Sequence, residues 1–315
     1  MKRILSIVIP TYNEEDSLKE LYYVLIKNVC LCIEEELITD YEIIFVDDGS
    51  SDSSVAIIRA IHQKDSRVHL ISFRKNFGKA AALQAAFRNV AGDIVVTMDA
   101  DLQDDPIEIK NFILKIDEGY DLVSGWKVNR LDPFEKRVPS RLFNKVTARL
   151  SGVNLHDFNC GFKAYRREVV DNLDIYGELH RYIPVLAYRR GYEIAEIPVH
   201  HNRRKFGKSK YGMERYLRGL FDSFSVSFLS KFYDRPMYFF GRIGLASFGT
   251  GFAVCLKLTG DWLRGRSIGK RPLLLLGVLL LLLGVQSIST GLIGDMIVDA
   301  TYRDRYTQSH VKERF

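Results

Sequence analysis

Met98-Asp99-Ala100-Asp101-Leu102-Gln103-Asp104-Asp105-Pro106 follows directly on Gly92-Asp93-Ile94-Val95-Val96-Thr97. The second of these stretches is short, apolar and β-branched, and reads as a buried strand. Carboxylates therefore appear where a strand ends and a loop begins, which is where open α/β sheets bind ligands. Asp99 and Asp101 stand two apart, with Gln103 next in step. Two carboxylates on one short loop repel unless a cation or a donor-rich ligand lies between them. Oxygen donors of this kind suit Mg²⁺ or Mn²⁺ holding a diphosphate. A plainer reading stays open at this point. Pro106 can begin a helix, and acids favour a helix N-terminus.

The surrounding chain alternates strand and helix. Leu5 to Pro10 is a continuous apolar run, expected to be a central parallel strand. Helical spacing follows through Leu18, Leu21, Leu25 and Val29. Cys30 and Cys32 lie in that helix and are expected to be packing residues. Strands are expected at Tyr41 to Val46, Val68 to Ser72, Ile94 to Thr97, Asp121 to Gly125 and Glu193 to Val199. Helices are expected at about Ser53 to His62, Lys79 to Val90 and Pro106 to Glu118. Short connections between such elements indicate an α/β fold, a mostly parallel sheet with helices on both faces. The first strand–helix turn carries Tyr12-Asn13-Glu14-Glu15 rather than G-x-G-x-x-G, which argues against NAD or FAD. No phosphate-binding G-x-x-x-x-G-K-[ST] is present, which argues against a P-loop ATPase.

Glu14, Asp47 and the Asp99/Asp101 pair each follow a strand. Turn chemistry explains any one of them, since Asp and Asn favour turns and caps. Together on one sheet edge they fit a nucleotide: Asp47 bonded to base or ribose, and the Asp-x-Asp loop holding metal and diphosphate. Three blocks then become specific. Ile7-Val8-Ile9-Pro10-Thr11-Tyr12-Asn13-Glu14, Val46-Asp47-Asp48-Gly49-Ser50-Ser51-Asp52 and Met98-Asp99-Ala100-Asp101-Leu102-Gln103 resemble, in order and spacing, the signature blocks of family 2 glycosyltransferases. These are inverting enzymes with a GT-A fold that use nucleotide sugars and a divalent metal. Asp-Ala-Asp-Leu-Gln is similar to the subgroup that glycosylates polyprenyl phosphates. The resemblance implies nucleotide-sugar contacts from Pro10, Tyr12, Asn13, Glu14, Asp47, Asp99, Ala100 and Asp101. It implies Mg²⁺ or Mn²⁺ on Asp99, Asp101 and Gln103, with Asp101 also counted as catalytic.

Residues 127 to 149 hold Lys127, Arg130, Lys136, Arg137, Arg141, Lys145 and Arg149 against two acids. Phe134, Val138, Leu142, Val146 and Leu150 repeat every fourth residue beside the basic stripe. That is the pattern of a membrane-surface helix, or of a solvated face packed on the domain. His156-Asp157-Phe158-Asn159-Cys160-Gly161-Phe162-Lys163 reads as a buried turn. It also resembles a block of the polyprenyl-phosphate transferases whose Asp lies near the reaction centre, which makes Asp157 a catalytic candidate, as base or as orienting group. A phosphate acceptor is already anionic near neutral pH, so a base is less needed than for a sugar hydroxyl. The basic stretch from His200 to Gly212 resembles the family's active-site loop, whose Arg and Lys contact phosphates; Arg204 and Lys210 have that spacing. With Arg137 and Arg141 they are the expected acceptor-phosphate residues. The paired His200-His201 is a poor metal site, because adjacent side chains rarely converge on one ion. No nucleic-acid motif or interleaved stacking aromatic accompanies these basic stretches, so nucleic acid is not an expected partner.

The 315 residues carry a net charge of +6 and 47% hydrophobic residues, unevenly spread. Residues 1–212 read as the GT-A domain and 213–235 as a juxtamembrane amphipathic helix with Met213, Leu217, Leu220, Phe221, Phe224, Phe228 and Phe232 on one face. Two transmembrane helices are expected within 236–298, at about 237–257 and 272–294, since about 20 apolar residues span a bilayer. A cytoplasmic tail is expected over 299–315. The run at the N-terminus is too short for a signal peptide. The connecting loop holds five basic residues and the flanks eight, so positive charge divides between the two sides. An integral membrane protein with its catalytic domain and both termini in the cytoplasm is expected, and a homo-oligomer through the glycine-bearing spans. Four scattered cysteines support neither a zinc site nor a disulfide framework.

The expected activity is inverting transfer of a sugar, glucose from UDP-glucose, to a polyprenyl phosphate. The two-span form resembles bacterial polyprenyl-phosphate glucosyltransferases more than single-span or soluble mannose synthases, which is why glucose is preferred to GDP-mannose-dependent transfer. A polysaccharide synthase would bring a Q-x-x-R-W block, which is absent. A non-catalytic scaffold for a lipid-sugar flippase would have lost the acids, which are intact.

Overall fold

The computed structural model describes residues 3–128, 144, 147–149, 151–177, 179–202, 232, 235–267 and 272–305. The expected amphipathic helix over 213–235 lies almost wholly outside these residues, as does most of the 127–149 stripe and of the tail. The chain divides into two compact units, Met1–Ser227 and Phe228–Phe315.

The first unit is built on a seven-stranded sheet. In chain order the described elements are β1 (Ile4–Thr11), α1 (Leu18–Glu34), β2 (Asp40–Asp47), α2 (Ser54–His62), β3 (Val68–Ser72), α3 (Lys79–Phe87) and β4 (Ile94–Thr97). Then come α4 (Ile109–Asp117), β5 (Leu122–Lys127), β6 (Lys163–Arg166), α5 (Arg167–Asp171), α6 (Ile183–Arg189) and β7 (Ile194–Val199). Strand order is β3-β2-β1-β4-β6-β5-β7. β1 is interior, with β2 and β4 parallel on either side. Successive side chains of a strand point to opposite faces. Leu5, Ile7 and Ile9 thus pack against α1, α2 and α4, while Val8 joins Ile44, Val46 and Val95 beneath α3, α5 and α6. Both faces are covered, which is why the central strands are continuously apolar.

Local chemistry explains the element ends. Leu18, Leu21, Leu25, Val29 and Cys32 form the buried stripe of α1. Cys30, expected beside Cys32 in the core, is exposed, because two residues turn a helix by about 200°. The expected helix from Pro106 starts as a 3₁₀ turn over Pro106–Glu108, and Asp105 caps it by accepting the Ile107 N–H at 3.1 Å. The capping role of the acidic stretch therefore falls to Asp105, not to Asp99 or Asp101. β6 is the strand the sequence reading did not anticipate, and α5 and α6 are helices it did not call. The β6 strand is antiparallel to both β4 and β5, pairing Lys163 with Thr97 and Ser124, and only four residues show a strand pattern.

The chain runs from β1 through β2 to β3 on one side, then crosses to β4 on the other side of β1. The strand order therefore reverses between β1 and β4, and the crevice beyond their carboxyl ends is where such sheets bind ligands. Register sets the loops side by side: Thr11 opposite Asp47, and Asp47 opposite Ser72. Being antiparallel, β6 brings the loop before Lys163 to the same edge.

The second unit holds α7 (Met237–Leu263) and α8 (Pro272–Arg305), both long and apolar enough to cross a membrane. Each runs past its expected end. Leu245, Leu275 and Met296 are at least 70% exposed, surface that hydrocarbon would cover. The two helices meet through glycines. A Cβ on Gly244 would stand 2.8 Å from the Gly284 carbonyl, and one on Gly251 2.8 Å from that of Gly277. Asp295 accepts the Met237 N–H at 3.0 Å and caps the start of α7. The glycines that motivated an oligomer thus contact each other within one chain.

Gly49 has φ +75° and its missing Cβ would lie 2.5 Å from the Lys75 backbone. Gly49→Ala is expected to lower stability by about 2 kcal/mol or more, through left-handed strain and overpacking together, read as the shift in the urea midpoint.

Candidate active site

The first two motif loops are sewn together. Asn13 sits at φ 53°, donates its N–H to Ser50 Oγ at 2.9 Å and accepts the Ser51 N–H at 2.8 Å. Glu14 N–H donates to Ser54 Oγ at 3.0 Å, and Glu15 accepts the Ser53 N–H at 2.9 Å. Asp47 is 1% exposed; its oxygens accept from Ser50 N–H at 3.1 Å and Ser72 Oγ at 2.9 Å. Asp48 accepts the N–H groups of Phe77 and Gly78. Burial nevertheless raises its pKa, against the lowering from those two bonds. Tyr12 is partly exposed and Pro10 half-buried at the rim.

The acidic loop beyond β4 is strained at Leu102, φ 61°. Left-handed backbone at a branched side chain is costly and concentrates at functional sites. Asp101 Oδ1 accepts the Gln103 N–H at 3.2 Å, and Ala100 is buried. Asp99 forms an ion pair with Lys79 from the start of α3, with about a third of each side chain exposed. Burial would raise the Asp99 pKa, but Lys79 and Lys127 outweigh it and hold the carboxyl lowered to about 2. Burial alone would lower Lys79; Asp99 outweighs it and keeps the ammonium charged. Asp104, which the sequence reading passed over, pairs with Lys127 at 2.7 Å, with 0% and 12% of their side chains exposed.

The loop before β6 closes the other wall. Asp157 is 1% exposed and its Oδ1 accepts the Asn159 N–H at 3.1 Å. Thr97 Oγ1 donates to the Gly161 carbonyl at 2.8 Å. A Cβ on Gly161 would lie 2.8 Å from Asp99 Oδ2 and 2.9 Å from Lys79 Nζ, so the bare glycine lets the ion pair rest on the loop. Lys163 is buried beneath it, its pKa lowered by burial against the pull of Cys160 and Asp157. The chain after β7 returns to the acidic loop: Asp104 bridges His201, and Asn202 N–H donates to the Gln103 carbonyl at 2.9 Å.

The structure therefore places Tyr12, Asn13, Glu14, Asp47, Asp99, Ala100, Asp101, Gln103 and Asp157 at one sheet edge. Arg137, Arg141, Arg204 and Lys210 lie outside the described residues. Lys79 and Lys163 are the residues that sequence reasoning missed, along with Asp104. One signal existed for Lys79: a cation at a helix N-terminus opposes the helix dipole.

Asp99, Asp101 and Gln103 present hard oxygen donors suited to Mg²⁺ or Mn²⁺. Asp99 is held anionic, and an ammonium already rests on it, so the corner accepts positive charge. Among the described residues no three His, Cys, Asp or Glu side chains gather as a metal cage. A cation bound through two carboxylates would complete its shell with phosphate oxygens and water.

Residues 6–174 match the family described as Glycosyl transferase family 2. Over 98% of its length the chain is 36% identical to the dodecaprenyl-phosphate galacturonate synthase of Rhizobium johnstonii, 91% of which is covered. It is 36% identical to the undecaprenyl-phosphate 4-deoxy-4-formamido-L-arabinose transferase of an Enterobacter species, over 98% of this chain and 94% of that one. Among solved structures, glucosyl-3-phosphoglycerate synthase from Mycobacterium tuberculosis, in complex with Mn²⁺, UDP and phosphoglyceric acid, is similar with a TM-score of 0.53. That likeness covers 72% of this chain and 78% of the other at 21% identity, and is one of fold.

Gly161→Ala is expected to displace the Asp99–Lys79 pair and cut activity at least about tenfold while the chain still folds, since small misplacements at a site are costly; activity and cooperative unfolding measured together check this. A second expectation concerns His180, whose Nδ1 is buried with no hydrogen-bond partner among the described residues. Burial, then Lys79, Arg181 and Lys163, pushes its imidazole down to about 2, against Asp99. Its folded pKa lies below the unfolded value, so its contribution is complete above about pH 6.5 and is lost as pH falls. Thermal stability should decline from pH 6.5 downward, and His180→Gln should flatten that decline until carboxylates held low in the folded state, Asp99 among them, begin to take up protons in the unfolded chain near pH 4.

Proposed function

The chain belongs to glycosyl transferase family 2, and on that footing we propose that it transfers a sugar from a nucleotide sugar to a polyprenyl phosphate at a membrane surface, with inversion. The observation that carries this reading is the meeting of the Asp99–Gln103 loop with the Asp157 loop at the point where the strand order reverses. Likeness along 98% of the chain, both apolar helices included, to two polyprenyl-phosphate sugar transferases supports the acceptor class.

In this reading the nucleoside lies over β1 and β2, at Tyr12, Asn13 and Asp47. Asp99, Asp101 and Gln103 hold Mg²⁺ or Mn²⁺; the ion, when bound, neutralises charge on the departing nucleoside diphosphate. Lys79 and Lys127 keep Asp99 ionised. Asp157, buried and bonded within its own loop, orients the reactants rather than carrying a proton, because a phosphate oxygen needs no base. That oxygen attacks the anomeric carbon from the face opposite the nucleotide. Arg137, Arg141, Arg204 and Lys210 would draw in the acceptor phosphate. The tie between Asn202 and Gln103 supports the last two, since Asn202 stands two residues before Arg204 in the sequence. Two spans return the chain to the side it left, and the catalytic unit with both ends belongs on the cytoplasmic side.

For the donor we propose a UDP-sugar. UDP-glucose is the first candidate, and the relatives' names put galacturonate and 4-formamido-arabinose beside it. The test is an assay of the purified full-length protein with polyprenyl phosphate and a panel of labelled UDP- and GDP-sugars, with and without EDTA. Label is expected in the lipid phase with one UDP-sugar and its loss with EDTA. Asp101→Ala should cut transfer by about a hundredfold or more. No label in lipid from any donor would sink the proposal; transfer undiminished in Asp101→Ala would remove the metal assignment.

A further inference from the structure

The segment from His156 to Phe162 has no regular structure, yet side chains from distant elements hold its backbone. Glu196, in the middle of β7, accepts the His156 N–H at 3.0 Å and the Asp157 N–H at 3.0 Å, and meets the His156 Nδ1 at 2.8 Å. Asn144 donates to the His156 carbonyl at 2.7 Å. Lys163 donates to the carbonyls of Phe158 and Cys160. The His156 ring stacks on Trp126, centroids 4.1 Å apart and 15° from parallel.

Glu196 has only 10% of its side chain exposed. A carboxylate is costly to bury unless hydrogen bonds compensate it. Here the compensation comes from the consecutive N–H groups of His156 and Asp157, with the His156 ring beside them. Charge-assisted bonds of this kind are stronger than neutral ones. They fix the backbone that leads into Asp157, while Thr97 pins Gly161 at the other end of the loop. The arrangement keeps a nearly buried carboxylate where an apolar residue would avoid the cost of desolvation. Its return is geometric: reacting groups must be held to within a fraction of an ångström, and about 1 Å of error costs about a hundredfold in rate.

We propose that Glu196 is a positioning residue for sugar transfer, holding Asp157 in register with the Asp99 corner through the backbone of its loop. This rests on the transferase reading above. Glu196→Gln keeps an oxygen that can accept both N–H groups; Glu196→Ala keeps none. With the donor found in the panel assay, Glu196→Ala should lower kcat by about a hundredfold. KM for the nucleotide sugar should stay within about twofold, because the donor loops over β1 and β2 are untouched. Glu196→Gln should recover kcat to within about fivefold of wild type. Near-normal kcat in Glu196→Ala, a loss confined to KM, or a folded Glu196→Gln as poor as the alanine variant would each overturn the proposal. If Glu196→Ala does not fold, the glutamine variant alone decides: a loss of about a hundredfold in kcat would mean that charge rather than position matters. A wild-type protein that transfers no sugar defeats the transferase reading and this inference with it; an active wild type with the wrong variant pattern defeats only the latter.

Discussion

Negative charge crowded at a sheet edge must be answered by positive charge. Asp99, Asp101 and Asp104 fall within six residues of one loop. Lys79 answers Asp99 from the start of α3, and Lys127 answers Asp104 from the end of β5. The two lysines come from different elements, so the ion pairs also brace the loop. Removing one member of such a pair leaves the other uncompensated. In the proposed reading Asp99 and Asp101 would hold the cation at this corner. A strained Leu102, directly after Asp101, is the backbone's share of that arrangement.

The rest of the site follows from keeping this corner rigid. Parallel strands deliver their loops to one edge, so β1, β2 and β4 supply three walls without further device. The fourth wall needs the antiparallel β6, which returns the Asp157 loop to the mouth of β4. That loop has no ladder of its own. Glu196, Asn144, Lys163 and Thr97 bond its backbone instead. Buried charge serves geometry here more than stability, since apolar residues would fill the same space at lower cost.

The second unit solves a different problem. Between two apolar helices in lipid there is little hydrophobic drive, so close packing must do the work. Gly277, Gly284 and Gly291 recur every seven residues on α8 and meet Val254, Gly244 and Met237 of α7. The helices approach nearly backbone to backbone, and Asp295 satisfies the first N–H of α7.

Periodicity in the chain was enough for the α/β alternation, the helical stripe of α1 and the two apolar spans, because those patterns are set by burial one residue at a time. Three motif blocks were enough for the family and for the placing of Asp47, Asp99 and Asp101 among the candidates, and a fourth, His156 to Lys163, added Asp157. The capping question around Pro106 was not legible: Asp105 and Asp101 are the same residue type, and only backbone geometry shows which one meets the Ile107 N–H. Nor was β6, whose four residues carry a buried lysine and follow a glycine. The partners of the acids, Lys79, Lys127, Lys163 and Glu196, were hidden for one reason. Each lies 20 or more residues from the group it serves or is read locally as part of another element. A charge pair is made by strand order and register, and those exist only once the sheet has formed.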